Sequence, residues 1–311
     1  MGKRSRAKAR DHASAAPAGV APRQPCPCGS GRRYKACHGA PGGGASAFVS
    51  RPFAGLPSEC DVVAMRELVP AASAPLTLRD SDRSVLLCSL LPGAAPAMVR
   101  ESGAIWLGLQ VQHQFGDPAR DLAAVLVKAL DADAGVVGLT DPPGEGPRLQ
   151  DLVVGDGLEV TVHDGFGFWL ADVAEQTPAL EAALEQANAA ATPTTRLHGV
   201  GAAYWTDMGA KEHLRWVMPE PEQDLLDALS RLHAAGRDRL VPGSRLVGMF
   251  RAHGLLAPVW DLAPGTGADA LQGPAEEFAK TLQEALADGS PLTQDERAAR
   301  SGLANRQLTI R

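Results

Sequence analysis

Residues 105–130 read IWLGLQVQHQFGDPARDLAAVLVKAL, and this stretch sets the fold class because it joins a strand to a helix. Residues 105–111 form an apolar run of strand length. Asp117 then precedes Pro118, a pair typical of a helix N-cap followed by the first helical residue. The apolar residues after them have helical spacing: Leu122, Val125, Leu126 and Leu130. The stretch therefore predicts a strand, a short loop and an amphipathic helix.

Outward from this stretch, strands come first and helices later. Further strands are predicted at 84–91, 135–138, 158–162 and 166–170, with Gly165 in a hairpin turn. Helices are predicted at 178–190, 221–235, 245–253, 274–287 and 293–301. This order indicates the α+β class, with antiparallel strands first and mostly helices after about residue 175. We expect this body to span residues 47–311, with a sub-boundary near 175–200.

The composition is that of a globular protein. Of 311 residues, 45% are hydrophobic and 21% are charged, which suffices for a sizeable core. No run of about 20 apolar residues predicts a membrane span, and the basic N-terminus lacks the apolar segment of a signal peptide. We therefore expect a cytoplasmic protein. Five cysteines without an export signal favour metal binding or buried thiols over a disulfide framework.

The net charge of −6 conceals a division along the chain. Residues 1–39 carry nine Lys and Arg and one acid, whereas the remainder carries 21 basic and 35 acidic residues. Residues 1–24 predict a disordered basic tail, and residues 40–46 (APGGGAS) predict a flexible linker. The cations within residues 3–10 are suited to weak contact with nucleic acid or another anionic surface, and the alternative is a solvated tail. They are Lys3, Arg4, Arg6, Lys8 and Arg10.

Residues 25–39, PCPCGSGRRYKACHG, place three cysteines and a histidine at the spacing C-x-C-x8-C-H. A structural zinc ion takes four thiolate and imidazole ligands in a tetrahedron. Ser30 is suited to N-cap a short helix at 32–36, which would bring the second ligand pair back to the first. Because so short a segment cannot bury a core, the metal must supply its folding free energy. We predict one Zn²⁺ in a closed structural site with the ligands Cys26, Cys28, Cys37 and His38.

Three basic side chains, Arg32, Arg33 and Lys35, lie between the two ligand pairs in sequence. Three thiolates leave a charge of about −1 on the zinc site. The basic side chains offset that charge and favour the thiolate form of the cysteines. We also predict that these three residues contact a partner.

The same segment resembles the SEC-C motif, the zinc-binding tail module of the SecA preprotein translocase ATPase, whose pattern is PCPCGSGKKYKxCCG or CHG. This chain departs from the pattern at Arg32 and Arg33, which replace lysines. The resemblance implies the same four zinc ligands and a partner such as a secretion chaperone or the ribosome. ATPase activity is not implied, since the chain has no G-x-x-x-x-G-K-[ST] loop. The whole chain also resembles an actinobacterial family of uncharacterised proteins, in which a long domain of unknown function follows such a module.

Cysteines and histidines of the body carry weaker predictions. Cys88 lies inside the apolar run SVLLCSLL, so we expect it, like Cys60, to be an ordinary semi-buried thiol. His213, His233 and His253 recur every 20 residues, which permits a metal site on helices. No H-E-x-x-H pattern accompanies them, so a metal site is the less favoured interpretation.

Three further features leave alternatives open. The pair His163-Asp164 suits a turn better than a catalytic site. Four aromatic residues favour core anchors over the lining of a groove: Tyr204, Trp205, Trp216 and Trp260. The segment 292–311 is either a docking helix or a folded-back terminal segment.

The sequence therefore favours a zinc-binding adaptor whose SEC-C-like module recruits a protein, with the ribosome or the secretion machinery as candidate partners. One alternative is an enzyme of unknown reaction in the body, with the zinc module only as its recruiter. Another is an RNA- or DNA-associated protein that acts through the basic N-terminus. The chain has no G-x-S-x-G elbow and no G-x-G-x-x-G fingerprint, which weighs against an enzyme without excluding one.

Because 24 of the 30 basic residues are Arg, a bias typical of a GC-rich genome, we give single arginines little functional weight.

Overall fold

The computed structural model of the protein describes residues 21, 23–24, 33–36, 48–173, 176–306 and 308. In this part of the chain seven α-helices accompany two β-sheets, which confirms the α+β class. The helices are α1 (Glu59–Glu67), α2 (Pro118–Leu130), α3 (Leu149–Leu152), α4 (Pro178–Ala190), α5 (Glu222–Ala234), α6 (Gln272–Ala287) and α7 (Gln294–Asn305). The strands are β1 (Ala72–Leu78), β2 (Val85–Cys88), β3 (Ala97–Val99), β4 (Ile105–Gly108), β5 (Gly135–Val137), β6 (Val153–Val154), β7 (Thr161–Val162), β8 (Thr194–Arg196), β9 (Ala203–Asp207), β10 (Glu212–Trp216), β11 (Arg245–Ala252) and β12 (Leu255–Leu262).

The first sheet has the strand order β5-β3-β4-β2-β1-β6, and β7 also pairs with β1. Its neighbours are antiparallel except β2 and β4, which run parallel. Helix α2 connects β4 to β5 and buries its apolar face in the core, as its spacing predicts. Pro118 begins this helix, and the Asp117 carboxylate accepts a hydrogen bond from the Arg120 N–H at 3.4 Å. The prediction from residues 105–130 is therefore confirmed.

The second sheet has the strand order β11-β12-β10-β9-β8 and is antiparallel throughout. A tight turn joins β11 to β12, and its two residues, His253 and Gly254, have φ angles of 49° and 80°. Glycine accepts such an angle without strain. It also permits close packing here, since a Cβ on Gly254 would lie 2.9 Å from the carbonyl oxygen of Ser50.

Both faces of the second sheet are buried. One face, which includes Tyr204 and Phe250, belongs to a core shared with the first sheet, α1 and α2. The opposite face packs against α5 and α6 through Trp216, Trp260 and Phe278. The rings of Trp260 and Phe278 meet edge to face with centroids 5.3 Å apart. The two sheets are therefore held together by one continuous apolar core.

The prediction of a helix at 245–253 is wrong, because these residues form strand β11. Leu246, Met249 and Phe250 have helical spacing in the sequence, which produced the error. In the structure a register shift between Leu246 and Gly248 marks a β-bulge against β12. A bulge inserts one residue and so hides the alternation by which a strand is recognised.

The second half of the body is less helical than predicted, because it contains the whole second sheet. Strands β8, β9 and β10 are short and carry polar residues, so their sequences lack a clear apolar pattern. Residues Phe166–Leu170 form a 3₁₀ helix where a strand was predicted, and Gly165 is accordingly not in a hairpin. Helix α4 has the predicted bounds, and the helices predicted at 221–235, 274–287 and 293–301 are present with shifted ends.

Candidate functional site

The predicted zinc ligands Cys26, Cys28, Cys37 and His38 lie outside the described residues, as do Arg32 and the cations of residues 3–10. The edges of the zinc segment are described. The Tyr34 N–H donates to the Gln24 carbonyl at 2.8 Å, and Tyr34–Ala36 form one 3₁₀ turn within the predicted helix. A main-chain hydrogen bond thus closes the loop from 24 to 34. In sequence, the first ligand pair falls inside this loop and the second pair follows the turn directly.

The side chains of this turn differ in exposure. Tyr34 is 8% exposed, whereas Arg33 and Lys35 are both exposed. Alternation of this kind is expected where a short turn anchors one aromatic ring and presents its neighbours to solvent. Arg33 and Lys35 are therefore available to a partner.

The three body histidines are not brought together. Each has its own carboxylate: His213 Nδ1 lies 3.1 Å from Asp261 Oδ1, His233 Nδ1 2.6 Å from Asp238 Oδ2, and His253 Nε2 2.8 Å from Glu67 Oε1. Within the described ranges, no three His, Cys, Asp or Glu side chains gather in a way that would hold a metal ion. The recurrence of histidine every 20 residues therefore does not build a metal site in the described part of the body.

A serine and a histidine make the closest approach to a catalytic pair. Ser73 Oγ on β1 lies 2.8 Å from His163 Nε2, and the His163 ring stacks on Phe168 with centroids 4.4 Å apart. Burial lowers the pKa of His163. Ser73 is itself buried, and among the described residues no carboxylate orients the other ring nitrogen. This contact fastens His163, which directly follows β7, to β1.

The body thiols are poor nucleophiles. Burial raises the pKa of Cys60 and of Cys88 to about 12, so both remain protonated near neutral pH. Cys60 is half-buried and Cys88 is buried, in agreement with the prediction of ordinary thiols that are withdrawn from solvent.

The predicted aromatic anchors are core residues. Tyr204, Trp216 and Trp260 are buried, and Trp205 is half-buried. The Trp205 Nε1–H donates to Glu212 Oε2 at 2.7 Å. These rings therefore stabilise the second sheet and do not line an open surface.

Three polar side chains, which we call the junction cluster, connect α1 to the second sheet. Arg196 donates from Nε to Asp61 Oδ1 at 2.9 Å and from Nη2 to Asp61 Oδ2 at 3.1 Å. The Tyr204 hydroxyl donates to Asp61 Oδ1 at 2.6 Å. Asp61 is only 4% exposed. Both carboxylate oxygens are thus satisfied inside the protein.

A second buried pair, Arg66 and Asp121, lines a small cavity of about 20 Å³ at the beginning of α2. Arg66 donates to the Leu109 carbonyl through Nη1, and the Phe115 N–H donates to Asp121 Oδ2 at 2.9 Å. Asp121 Oδ1 has no hydrogen-bond partner among the described residues, and Arg66 Nε lies 3.3 Å from Glu67 Oε1 without forming a well-aligned hydrogen bond. The cavity has room for about one water molecule.

An open groove of about 480 Å³ lies where the end of α5, the start of β11 and the end of α7 meet. We call it the arginine groove. Its lining residues are His233, Asp238, Arg239, Arg245, Leu246, Val247 and Arg306. It is therefore lined by three arginines and by His233, whose ring contacts the Asp238 carboxylate.

Residues 306 and 308 fold back onto β11 beside this groove, so the described part of segment 292–311 agrees with the folded-back alternative, whereas residues 307 and 309–311 lie outside the described residues. After α7, the Met249 N–H donates to the Arg306 carbonyl at 3.2 Å, and the Leu308 N–H donates to the Met249 carbonyl at 3.1 Å. Gly248 permits this approach, since a Cβ there would lie 2.5 Å from the Arg306 carbonyl oxygen. The sequence analysis considered His233 only as part of a less favoured metal site, and it missed the arginines. Of the three, only Arg239 lies in the basic cluster RLHAAGRDRL at residues 231–240, a signal that the general excess of Arg obscured.

Two protein-family models match this chain. DUF5926, described as a family of unknown function, matches residues 52–311. The SEC-C motif matches residues 23–40. Both resemblances seen in the sequence, to the SEC-C motif and to a family with a long domain of unknown function, are thereby confirmed. No curated protein and no solved structure matches the chain. None of the helices in the described ranges is long and apolar enough to cross a membrane.

Proposed function

We propose that this chain, which belongs to the DUF5926 family, is a zinc-dependent adaptor in which the SEC-C motif recruits a partner to the DUF5926 body. Cys26, Cys28, Cys37 and His38 would hold one Zn²⁺. The partner would be a protein or a ribosomal or secretion assembly, met in the cytoplasm. The observation that carries this proposal is the complete set of four ligands inside a motif whose loop is closed by the hydrogen bond from Tyr34 to Gln24.

The donor chemistry fits zinc. Three thiolates and one imidazole are ligands that Zn²⁺ accepts in a closed tetrahedral site. With all four positions taken by protein atoms, the metal serves structure and has no open position for a substrate. Binding would contribute on the order of 10 kcal/mol to the folding of the module. The module should consequently fold and unfold with its metal.

The rim of the module fits an acidic or phosphate-bearing partner surface. Arg33 and Lys35 are exposed, and Arg32 precedes them in sequence. The remainder of the chain carries 21 basic and 35 acidic residues, so the module is positively charged whereas the body is negatively charged. Ribosomes present RNA phosphates as well as protein, which makes them the first partner to test.

Metal analysis tests the zinc site directly. The purified protein should contain about one zinc per chain, and the double variant Cys26→Ser/Cys28→Ser should lose it. The matched control is Cys60→Ser/Cys88→Ser, which removes two body thiols and should keep the zinc. His38→Cys should keep it as well, because thiolate replaces imidazole. A zinc-free wild type, or equal zinc loss in the control, would refute the metal site.

Ribosome co-sedimentation from cell extract tests recruitment. We expect the wild type to pellet with ribosomes, and the variant without residues 1–39 to remain in the supernatant. Arg33→Glu/Lys35→Glu should weaken pelleting several-fold, because two cations are reversed. Lys128→Glu reverses an exposed cation of α2 and should change nothing. If the truncated chain pellets as well as the wild type, the module is not the recruiting element.

A further inference from the structure

The geometry points to a second binding site, in the body: we propose that the arginine groove binds a small molecule bearing a terminal phosphate group. This proposal is independent of the zinc module, because every residue of the groove belongs to the DUF5926 match. It also assigns a role to the DUF5926 body, about which the SEC-C motif gives no information.

The arginines of the groove keep donors for a ligand. No carboxylate of the described residues lies within 4 Å of Arg239 or Arg306. Arg245 Nη2 lies 3.6 Å from Asp261 Oδ2, but Lys211 Nζ already contacts that oxygen at 2.8 Å. A guanidinium group presents a planar fork of N–H donors that matches the oxygens of a phosphate group.

The histidine of the groove is held in one orientation. Asp238 contacts Nδ1 of His233 at 2.6 Å, so Nε2 is the ring nitrogen left for a ligand. Asp238 is only 8% exposed, and its carbonyl accepts a hydrogen bond from Trp260 Nε1 at 2.8 Å. This second contact fixes the Asp238 backbone to the core of the second sheet. The pair therefore provides a polar contact whose position is determined by buried residues.

The groove is assembled by specific backbone features. The bulge in β11 falls between Leu246 and Gly248, beside the lining residue Val247. Gly248 then allows the Arg306 carbonyl to reach Met249, which places Arg306 at the groove although it follows Arg245 by about 60 residues. Bulges that re-aim side chains are frequent beside functional sites.

Charge and size select the class of ligand. Three guanidinium groups suit a dianion with three or more oxygens better than a single carboxylate. A volume of about 480 Å³ accommodates a ligand of nucleotide size. Since the chain outside residues 1–39 carries 35 acidic and 21 basic residues, a long polyanion such as RNA would be repelled around the groove. A small phosphate ester avoids that repulsion.

Calorimetric titration of the full chain tests this site, with inorganic phosphate and AMP as probes and adenosine as the probe without phosphate. We expect phosphate and AMP to compete for one site per chain, and adenosine to bind at least about tenfold more weakly than AMP. Arg239→Gln and Arg306→Gln should each lower AMP affinity about tenfold, which is the loss expected for one charge-assisted hydrogen bond.

Arg237→Gln is the matched control. Arg237 lies in the same loop as Arg239, but it points its guanidinium towards Glu284, at 3.7 Å, and does not line the groove. The Arg237→Gln variant should bind AMP as tightly as the wild type does. Circular dichroism melts should show that all three arginine variants are folded. The proposal is overturned if phosphate shows no saturable binding, or if Arg239→Gln binds AMP as the wild type does. It is also overturned if a single-stranded RNA binds more tightly than AMP and depends on the same arginines.

Discussion

The junction cluster and the arginine groove are made from similar side chains, but their environments differ. In the junction cluster, Arg196 and Tyr204 saturate both oxygens of Asp61, which is 4% exposed. In the arginine groove, Asp238 pairs with His233, and the arginines line open space. In the first arrangement the guanidinium is committed to a buried carboxylate, whereas in the second Arg239 and Arg306 have no carboxylate of the described residues within 4 Å.

This difference distinguishes charge that holds the protein together from charge that is available for binding. A buried carboxylate is tolerated when every lone pair has a partner, and removal of one partner leaves an uncompensated group. Arginines at an open groove contribute little to stability, because water solvates them in the absence of a ligand. Substitutions in the junction cluster should therefore change stability, and those in the arginine groove should change binding.

Asp61→Ala should give the largest change in stability. It leaves the Arg196 guanidinium and the Tyr204 hydroxyl without their acceptor between α1 and the second sheet. Breaking a buried pair costs about 3 kcal/mol or more, and we expect the lower end because Arg196 is partly exposed. Urea unfolding followed by circular dichroism would measure this loss.

Tyr204→Phe sharpens the same comparison, since it removes only one of the three donors to Asp61 and should cost about 1 kcal/mol. Neither substitution should alter AMP affinity at the arginine groove. A stability of Asp61→Ala within about 0.5 kcal/mol of the wild type would contradict a structural role for the junction cluster.

Asp121→Asn should give a smaller change, of the opposite sign. Burial raises the pKa of Asp121 to about 6, above the value of about 3.9 for an unfolded chain. The folded protein thus holds this proton more tightly than the unfolded chain does. The stability that protonation provides is complete below about pH 4 and is lost as the pH rises through about 6. The variant has no such loss, so it should be more stable than the wild type by about 2 kcal/mol at pH 7.

The pH profile of unfolding provides the check, because the two proteins should agree near pH 4 and separate by pH 7. Asp133→Asn, which changes an exposed carboxylate, should follow the wild type throughout. If Asp121→Asn is instead the less stable protein at pH 7, the carboxylate stabilises Arg66 by more than its burial costs.

Local patterns in the sequence predicted the elements that are stabilised by nearby residues. The N-cap and the apolar stripe of α2 predict that helix from residues 117–130 alone, and its observed bounds agree. Strand β11 was misassigned because its bulge and its pairing with β12 depend on residues further along the chain. Tertiary pairing overrides a local helical pattern of this kind.

The same limit applies to the sites. Four zinc ligands within 13 residues of sequence can be recognised from their spacing alone. The arginine groove draws on α5, the loop after it, β11 and the end of α7, so no spacing in the sequence reveals it. Arg306 in particular reaches the groove through backbone hydrogen bonds to Met249, which no property of its own side chain indicates.

Gly248→Ala should have a small effect on stability and a clear effect on binding. The new Cβ would lie 2.5 Å from the Arg306 carbonyl oxygen, so the segment 306–308 must move away from β11. Two backbone hydrogen bonds at the end of the chain would weaken, at a cost of about 1 kcal/mol, while AMP affinity should fall as in Arg306→Gln. Gly302→Ala is the control, because it adds the same methyl group to α7 where no atom lies within 4 Å and should be neutral or slightly stabilising. If Gly248→Ala leaves AMP affinity unchanged, the folded-back segment does not build the groove, and the contrast with the junction cluster would rest on Arg239 and Arg245 alone.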